Sequence, residues 1–171
     1  NSMSKPTRII DPLGDTSTFT YDTGLNPIQI SLPGNRSIHN TYYSNGLLKT
    51  TKDPMGYITE FFYNSRGDLT SVVSHSGTKI FGYDSVGRLI SYTDENQHKT
   101  TYTYNTKDKL VKVTDALGYS LEYSFDINDN LVLSRDKNGN ETQFSYDKKD
   151  RLKEVLLPNS GIVQYIYDKR D

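Results

Sequence analysis

An all-β fold of tandem antiparallel β-hairpins is the class this sequence predicts, and three observations predict it. One aromatic residue recurs at a fixed period. A second aromatic stands two residues before it. Turn-forming residues recur about every ten residues, the spacing of a β-meander. No stretch shows a sustained helical period.

The recurring aromatic, here called the anchor, is Tyr21, Tyr42, Tyr63, Tyr83, Tyr104, Phe125, Tyr146 and Tyr167. Each step is 21 residues except the step of 20 from Tyr63 to Tyr83. Two places earlier stand Phe19, Phe61, Phe81, Tyr102, Tyr123, Phe144 and Tyr165, with Asn40 breaking the column. Aromatic–x–aromatic is a period of two, so both rings face one side of a strand. The residue after the anchor is Asp22, Asn64, Asp84, Asn105, Asp126, Asp147 or Asp168, with Tyr43 as the exception.

Four places after the anchor come Gly46, Gly67, Gly87, Asp108, Asp129, Asp150 and Asp171. Asp or Asn at the first position and Gly at the fourth suit a type I turn followed by a left-handed residue, the three-residue hairpin loop. Gly takes that conformation without strain, and Asp tolerates it better than most residues. The first copy departs, with Gly24 one place early and Pro27 in the next column. Six places after the anchor stand Leu48, Leu69, Leu89, Leu110, Leu131 and Leu152, which this register sets opposite the anchor ring.

A second turn closes each copy, as in Asp11-Pro12-Leu13-Gly14, Asp53-Pro54-Met55-Gly56, Asp115-Ala116-Leu117-Gly118 and Asp136-Lys137-Asn138-Gly139. Ser74-His75-Ser76-Gly77 and Asp94-Glu95-Asn96-Gln97 are weaker versions. The repeat length is odd, whereas side chains alternate with period two. Keeping every aromatic pair on one face therefore needs one β-bulge per repeat, and the apolar residues after Leu110 and Leu89 place it just after the Leu. Fifteen or 16 strands are expected, in a sheet that curves or coils, because open twisted sheets rarely exceed about ten strands flat.

The chain has 171 residues, a net charge of −1, no Cys, and 14 Tyr against 6 Phe. Its hydrophobic fraction is 33%, below the roughly 45–50% of ordinary domains, so a thin sheet with half-buried rings is expected rather than one thick core. The charge argues against a broad nucleic-acid surface. No apolar run approaches the roughly 20 residues of a spanning helix. Residues 1–7, opening Asn1-Ser2-Met3, read as a vector-derived remnant or leader. Residues 8–171 read as about eight copies of the 21-residue repeat, the last cut within its turn.

These columns resemble the YD-repeat, or RHS-repeat, family. Tyr83-Asp84-Ser85-Val86-Gly87-Arg88-Leu89 matches that family's core motif, and Tyr146-Asp147-Lys148-Lys149-Asp150-Arg151-Leu152 keeps all but the Gly. The resemblance implies a segment of a large secreted or cell-surface protein of the bacterial RHS, toxin-complex, wall-associated or teneurin kind. It implies a long β-ribbon that spirals into a hollow shell, which in bacterial toxins encloses a C-terminal toxic domain. Adjacent repeats of the parent protein and that enclosed domain are then the expected partners. The family's self-cleaving aspartyl site is not carried over to Asp11 or Asp53, which sit in plain repeat turns.

No cofactor, metal site or catalytic role is expected. His39, His75 and His98 lie at spacings that suit no metal. Asp126, Asn128 and Asn130 have the start of a calcium loop, but Leu131 and Lys137 occupy the positions of its Gly and closing acid, and turn chemistry explains the three residues. The repeated Asp residues are likewise explained by their turns. The ligand candidates are the rings Tyr63, Tyr83, Tyr102, Tyr104, Tyr123 and Tyr146, which could stack on sugars and make carbohydrate a partner. Packing between hairpins explains the same column without a ligand. Ala in place of Tyr104 or Tyr146 is expected to cost roughly 2–4 kcal/mol. The strand Ile162–Tyr167, apolar on both faces at the array's end, is expected to pair edge to edge with a second copy as a two-fold homodimer.

Overall fold

The computed structural model describes residues 5–168. Among these the chain is all β, with sixteen strands and no helix. They are β1 Arg8–Ile10, β2 Thr16–Tyr21, β3 Pro27–Leu32, β4 Arg36–Tyr42, β5 Leu48–Lys52, β6 Ile58–Tyr63, β7 Leu69–Ser74 and β8 Gly77–Tyr83. Then follow β9 Leu89–Thr93, β10 Lys99–Tyr104, β11 Leu110–Thr114, β12 Ser120–Phe125, β13 Leu131–Arg135, β14 Glu141–Tyr146, β15 Leu152–Leu156 and β16 Ile162–Gln164. Two compact units divide them: one runs to Gly82 and includes Asp94–Asn96, the other comprises Tyr83–Thr93 and the chain from Gln97 onward. Within each unit, consecutive strands pair antiparallel.

The hairpin register is the one the columns predict. Tyr42 lies opposite Leu48, Tyr63 opposite Leu69, Tyr104 opposite Leu110, Phe125 opposite Leu131 and Tyr146 opposite Leu152. Pro27 takes the same place opposite Tyr21. In each of these hairpins the register shifts by one residue beside the anchor. Thr103 pairs with Lys112 while Tyr104 pairs with Leu110, so Val111 is the extra residue. The bulge therefore follows the Leu. It brings Val113 opposite Tyr102, on the same face as Tyr104 and Leu110. That parity shift lets an odd repeat keep its aromatic face.

Both kinds of turn are built alike. In the first kind, the Gly87 amide donates to the Asp84 carbonyl and the Asp84 amide to that of Arg88. In the second, Gly56 and Asp53, with Tyr57, repeat the pattern. The left-handed position is Gly87 at φ 94° and Gly56 at φ 93°, and Asp108, Asp129 and Asp150 adopt it at φ 62°, 68° and 58°. The first copy holds a surprise. Leu25, not Gly24, adopts the left-handed conformation, at φ 62°. The loop keeps its length, and a side chain ill-suited to that region bears the strain.

The single step of 20 residues has a local cause. Ser74 pairs directly with Gly77, leaving only His75 and Ser76 in the loop. In the other second turns, such as that of Asp115 and Tyr119, three residues lie between the corresponding pair. The weak turn signal here thus marks a shorter loop, not a poor copy of the longer one.

The two faces of the sheet differ. Direct pairing places Tyr102, Tyr104, Leu110, Val113, Leu121, Tyr123 and Phe125 on one face. The other carries Thr101, Thr103, Lys112, Thr114, Ser120 and Glu122. On that polar face Glu122 pairs with Lys112 at 2.9 Å and Arg135 at 3.4 Å, and Arg135 also holds Glu141. Among the described residues Val155 is the one buried hydrophobic side chain. It lies opposite Phe144 and Val163. Among the described residues neither unit has a second layer, so stability comes from neighbour-to-neighbour contacts within a thin sheet.

Candidate functional site

The repeated chemistry of this chain lies where one repeat meets the next. An Asp or Asn following the anchor caps its own turn. Asp84 Oδ1 accepts the amides of Val86 and Arg88, both at 3.0 Å. Asp126 does the same for Asn128 and Asn130, and Asn105 for Lys107 and Lys109. The short side chain reaches back over a tight loop, which is why Asx residues suit this place. The other carboxylate oxygen takes a side chain five places after the anchor: Arg88 at 2.7 Å on Asp84, Arg151 at 2.8 Å on Asp147, and Asn130 at 3.1 Å on Asp126.

These bonds set the acidity of the turn carboxyls. Hydrogen bonds from Asn130 hold Asp126 below the usual carboxylate range, and those from Asn26 do so for Asp22. For Asp147 the first cause is the Arg151 side chain. At Asp84 the largest influence is burial, which opposes ionisation, yet the bonds from Arg88 and Val86 together prevail and the carboxyl is held low.

The residue five places after the anchor also reaches the following repeat. Arg88 stacks over the Tyr104 ring at 4.9 Å, Lys109 over Phe125 at 5.9 Å and Arg151 over Tyr167 at 4.3 Å. Arg88 further donates to the Asn105 carbonyl and pairs with Asp108 in the next turn. A planar guanidinium suits this triple duty better than an ammonium does. Asn128 and Asn130 make a comparable bridge, both donating to Asp150 at 2.9 Å. The residues that looked like the start of a calcium loop are thus occupied as turn cap and inter-repeat bridge.

A hydroxyl rung completes the interface. The Tyr104 hydroxyl donates to the Leu89 carbonyl at 2.9 Å, Tyr146 to Leu131 at 2.9 Å and Tyr167 to Leu152 at 2.7 Å. In the other unit Tyr42 donates to Pro27 at 3.1 Å and Tyr21 to Pro6 at 2.7 Å. Every rung spans 15 residues, from an anchor to the Leu-column carbonyl of the repeat before. Burial pushes the phenols of Tyr42, Tyr63 and Tyr146 up.

The six candidate rings Tyr63, Tyr83, Tyr102, Tyr104, Tyr123 and Tyr146 are all half-buried. Tyr63 packs edge-on against Tyr43 at 6.1 Å, and Tyr43, the exception in the Asp column, donates its hydroxyl to the Phe61 carbonyl. Asn40, the exception among the aromatics, donates to the same Pro27 carbonyl as Tyr42. The more exposed rings lie elsewhere. Tyr57 is 44% and Tyr119 53% exposed, each just after a second turn. Tyr57 stacks on His75 at 4.4 Å. His39 bonds Ser37, and His98 sits near Thr100 and Asp115. Sequence reasoning missed the basic clamp column, although Arg88, Lys109 and Arg151 each stand immediately before the Leu.

The leader expected at residues 1–7 lies only partly within the described residues. Residues 1–4 and 169–171, including Asp171 of the last turn, lie outside the described residues. Lys5 donates to the Leu25 carbonyl at 2.8 Å and lies over the Tyr21 ring at 5.9 Å, the clamp contact of the later repeats.

With this geometry in hand, comparison with known proteins places the repeats. Residues 83–120 and 104–141 match the family model of the RHS Repeat. Residues 83–141 thus match RHS repeats. No curated protein sequence matches it. Among solved structures, a chain of the Photorhabdus luminescens Tc holotoxin pore is similar over 91% of this chain and 12% of its own length, with a TM-score of 0.64 and 16% identity. A chain of the TcdB2-TccC3 crystal structure is similar over 85% of this chain and 9% of its own, with a TM-score of 0.57 and 16% identity. A related structure, TcdB2-TccC3 without the hypervariable C-terminal region, gives the same values. At that identity the likeness is one of fold. This chain spans about a tenth of the chains it resembles.

Proposed function

We propose that this chain is a wall segment of an RHS-repeat shell, part of a secreted or surface protein that encloses an effector or toxic domain. The observation that carries the reading is the inter-repeat interface. Hydroxyl rung, cation on ring and turn-to-turn bridge all join one repeat to the next, and each unit is a single layer among the described residues. A layer of this kind encloses by extension, because each added hairpin brings its own contacts. The similarity of fold to toxin-complex chains over most of this chain supports the same reading. The side chains most regular across the repeats are used for joining them, so the role is architectural rather than catalytic.

The test uses the full-length protein. Electron microscopy should show a hollow particle, and a domain encoded beyond the repeats should resist protease while the particle is intact. A solid or extended particle, with every region cleaved at similar rates, would overturn the proposal.

A further inference from the structure

Between β6 and β7 the sheet parts. Ile58–Glu60 of β6 pair back to β5, while β7 pairs forward to β8 from Ser71 to Ser74. The pairing of β6 with β7 ends at Glu60 and Val73. Beyond that pair the strands diverge and leave a cleft of about 500 Å³, whose walls include Tyr57, Ile58, Glu60, Val73 and His75. The corresponding cleft in the other unit, between Thr100 and Asp115, holds about 280 Å³. The two-residue loop shapes this one, because it brings the His75 ring against that of Tyr57 at 4.4 Å.

The face on which the cleft opens changes character here. On the face opposite the anchors, β10–β12 carry Thr101, Thr103, Lys112 and Glu122. On the same face of β6–β8, direct pairing and alternation set Ile58, Phe62, Val73 and Ile80 around Glu60. These four side chains are each between 37% and 51% exposed. Apolar groups left open to water within an otherwise polar face mark a contact surface.

Glu60 is the charge among them, and Glu122 shows what it lacks. Both stand three places before an anchor. Glu122 lies opposite Lys112 and Arg135 and forms ion pairs with both. Glu60 has Thr50 and Val73 in the same two places, and among the described residues no ion pair reaches it. Lys52, two places along β5 from Thr50, lies beside Gly56 instead.

We propose that this cleft receives a Lys or Arg side chain borne on an apolar segment of a partner protein. The cation takes the role at Glu60 that Lys112 and Arg135 fill at Glu122. Its aliphatic stem lies on Ile58 and Val73, as long cationic side chains do on apolar surface. The Tyr57 ring offers a face to the charge. Apolar neighbours on the segment cover Phe62 and Ile80. A second copy of this chain is the poorer occupant. A two-fold contact sets Glu60 against Glu60, and like charges repel. Four half-exposed side chains also fall short of the roughly 800 Å² per partner that a stable pair buries. The site does not depend on what the repeats enclose.

The capped tripeptide Leu-Arg-Leu is the probe, and Leu-Gln-Leu is its neutral counterpart. In an NMR titration of the isotope-labelled chain, millimolar Leu-Arg-Leu should shift the ring signals of Tyr57 and His75 and the methyls of Ile58 and Val73. Leu-Gln-Leu should bind more weakly. Glu60→Gln should weaken Leu-Arg-Leu binding by roughly three- to fivefold, the worth of an exposed ion pair. Because Glu60 makes no ion pair in the chain itself, this variant should keep the natural melting temperature. Val73→Arg supplies the missing cation from within the sheet and should abolish the shifts. Equal binding of the two peptides, unchanged binding by Glu60→Gln, or no shift at these residues would each overturn the proposal. So would movement of the same signals on dilution of the chain alone, which would make a second copy the occupant.

Discussion

Replacing Tyr146 with Ala tests whether the anchor column holds the fold together. Tyr146 lies opposite Leu152 and donates its hydroxyl to the Leu131 carbonyl at 2.9 Å. Full burial of a large apolar side chain is worth about 1.5–3 kcal/mol, so a half-buried ring contributes about 1–2 kcal/mol. The neutral hydrogen bond adds about 0.5–1.5 kcal/mol. Tyr146→Ala should therefore destabilise by about 1.5–3.5 kcal/mol, overlapping most of the range expected for aromatic truncation. Tyr146→Phe removes only the hydroxyl and should cost about 0.5–1.5 kcal/mol. The natural Phe125 shows that the column accommodates a ring without one. Because repeats contact only their neighbours, unfolding of such arrays is partly local, and a melt alone understates the change. Thermal melts should be read beside hydrogen exchange of the β13–β15 amides, which should quicken before those of β10 and β11. His98→Ala serves as the control and should leave both unchanged. If it cost as much as Tyr146→Ala, or if exchange quickened uniformly, the ladder would not be the source of stability.

Other outcomes follow from the turns and the rings. Leu25→Gly relieves a left-handed Leu and should stabilise by about 1 kcal/mol, whereas Gly118→Val imposes that strain and should cost about 1–2 kcal/mol; chemical denaturation of the two variants checks both signs. The carboxyls of Asp22, Asp84, Asp115, Asp126, Asp136 and Asp147 are held low in the fold, so their contribution is complete above the unfolded carboxylate range near about pH 4 and is lost as pH falls through their lowered values. Melting temperature should be flat from neutral pH down to that range and drop below it, and a decline beginning near neutrality would refute the assignment to these groups. If the anchor face binds carbohydrate, millimolar sugar should shift the ring resonances of Tyr63, Tyr83, Tyr102, Tyr104, Tyr123 and Tyr146. The engaged hydroxyls of Tyr104 and Tyr146 and the half-burial of all six rings predict instead that any shifts fall on the more exposed Tyr57 and Tyr119, and an NMR titration separates the two.

The sequence by itself determined what repeats. Period-two aromatics, Asx–Gly turn spacing and an odd repeat length are local properties of the chain, so strand number, hairpin register and the bulge after Leu110 and its counterparts were all legible. Local chemistry also explained why Asp84 and Asp53 stand where they do, since each caps its own loop. What the tertiary structure alone decided is how each repeat grips the next. Arg88 reaches Tyr104 and Asp108, and Tyr146 reaches the Leu131 carbonyl, across 15 to 20 residues of chain. Such contacts depend on the direction a side chain takes from a twisted sheet, which column spacing does not encode. The shortened loop at His75 and Ser76 and the left-handed Leu25 belong to the same class. There the pairing of neighbouring strands overrides the preference of the loop residues, because a ladder of backbone hydrogen bonds outweighs about 1–2 kcal/mol of strain at one position.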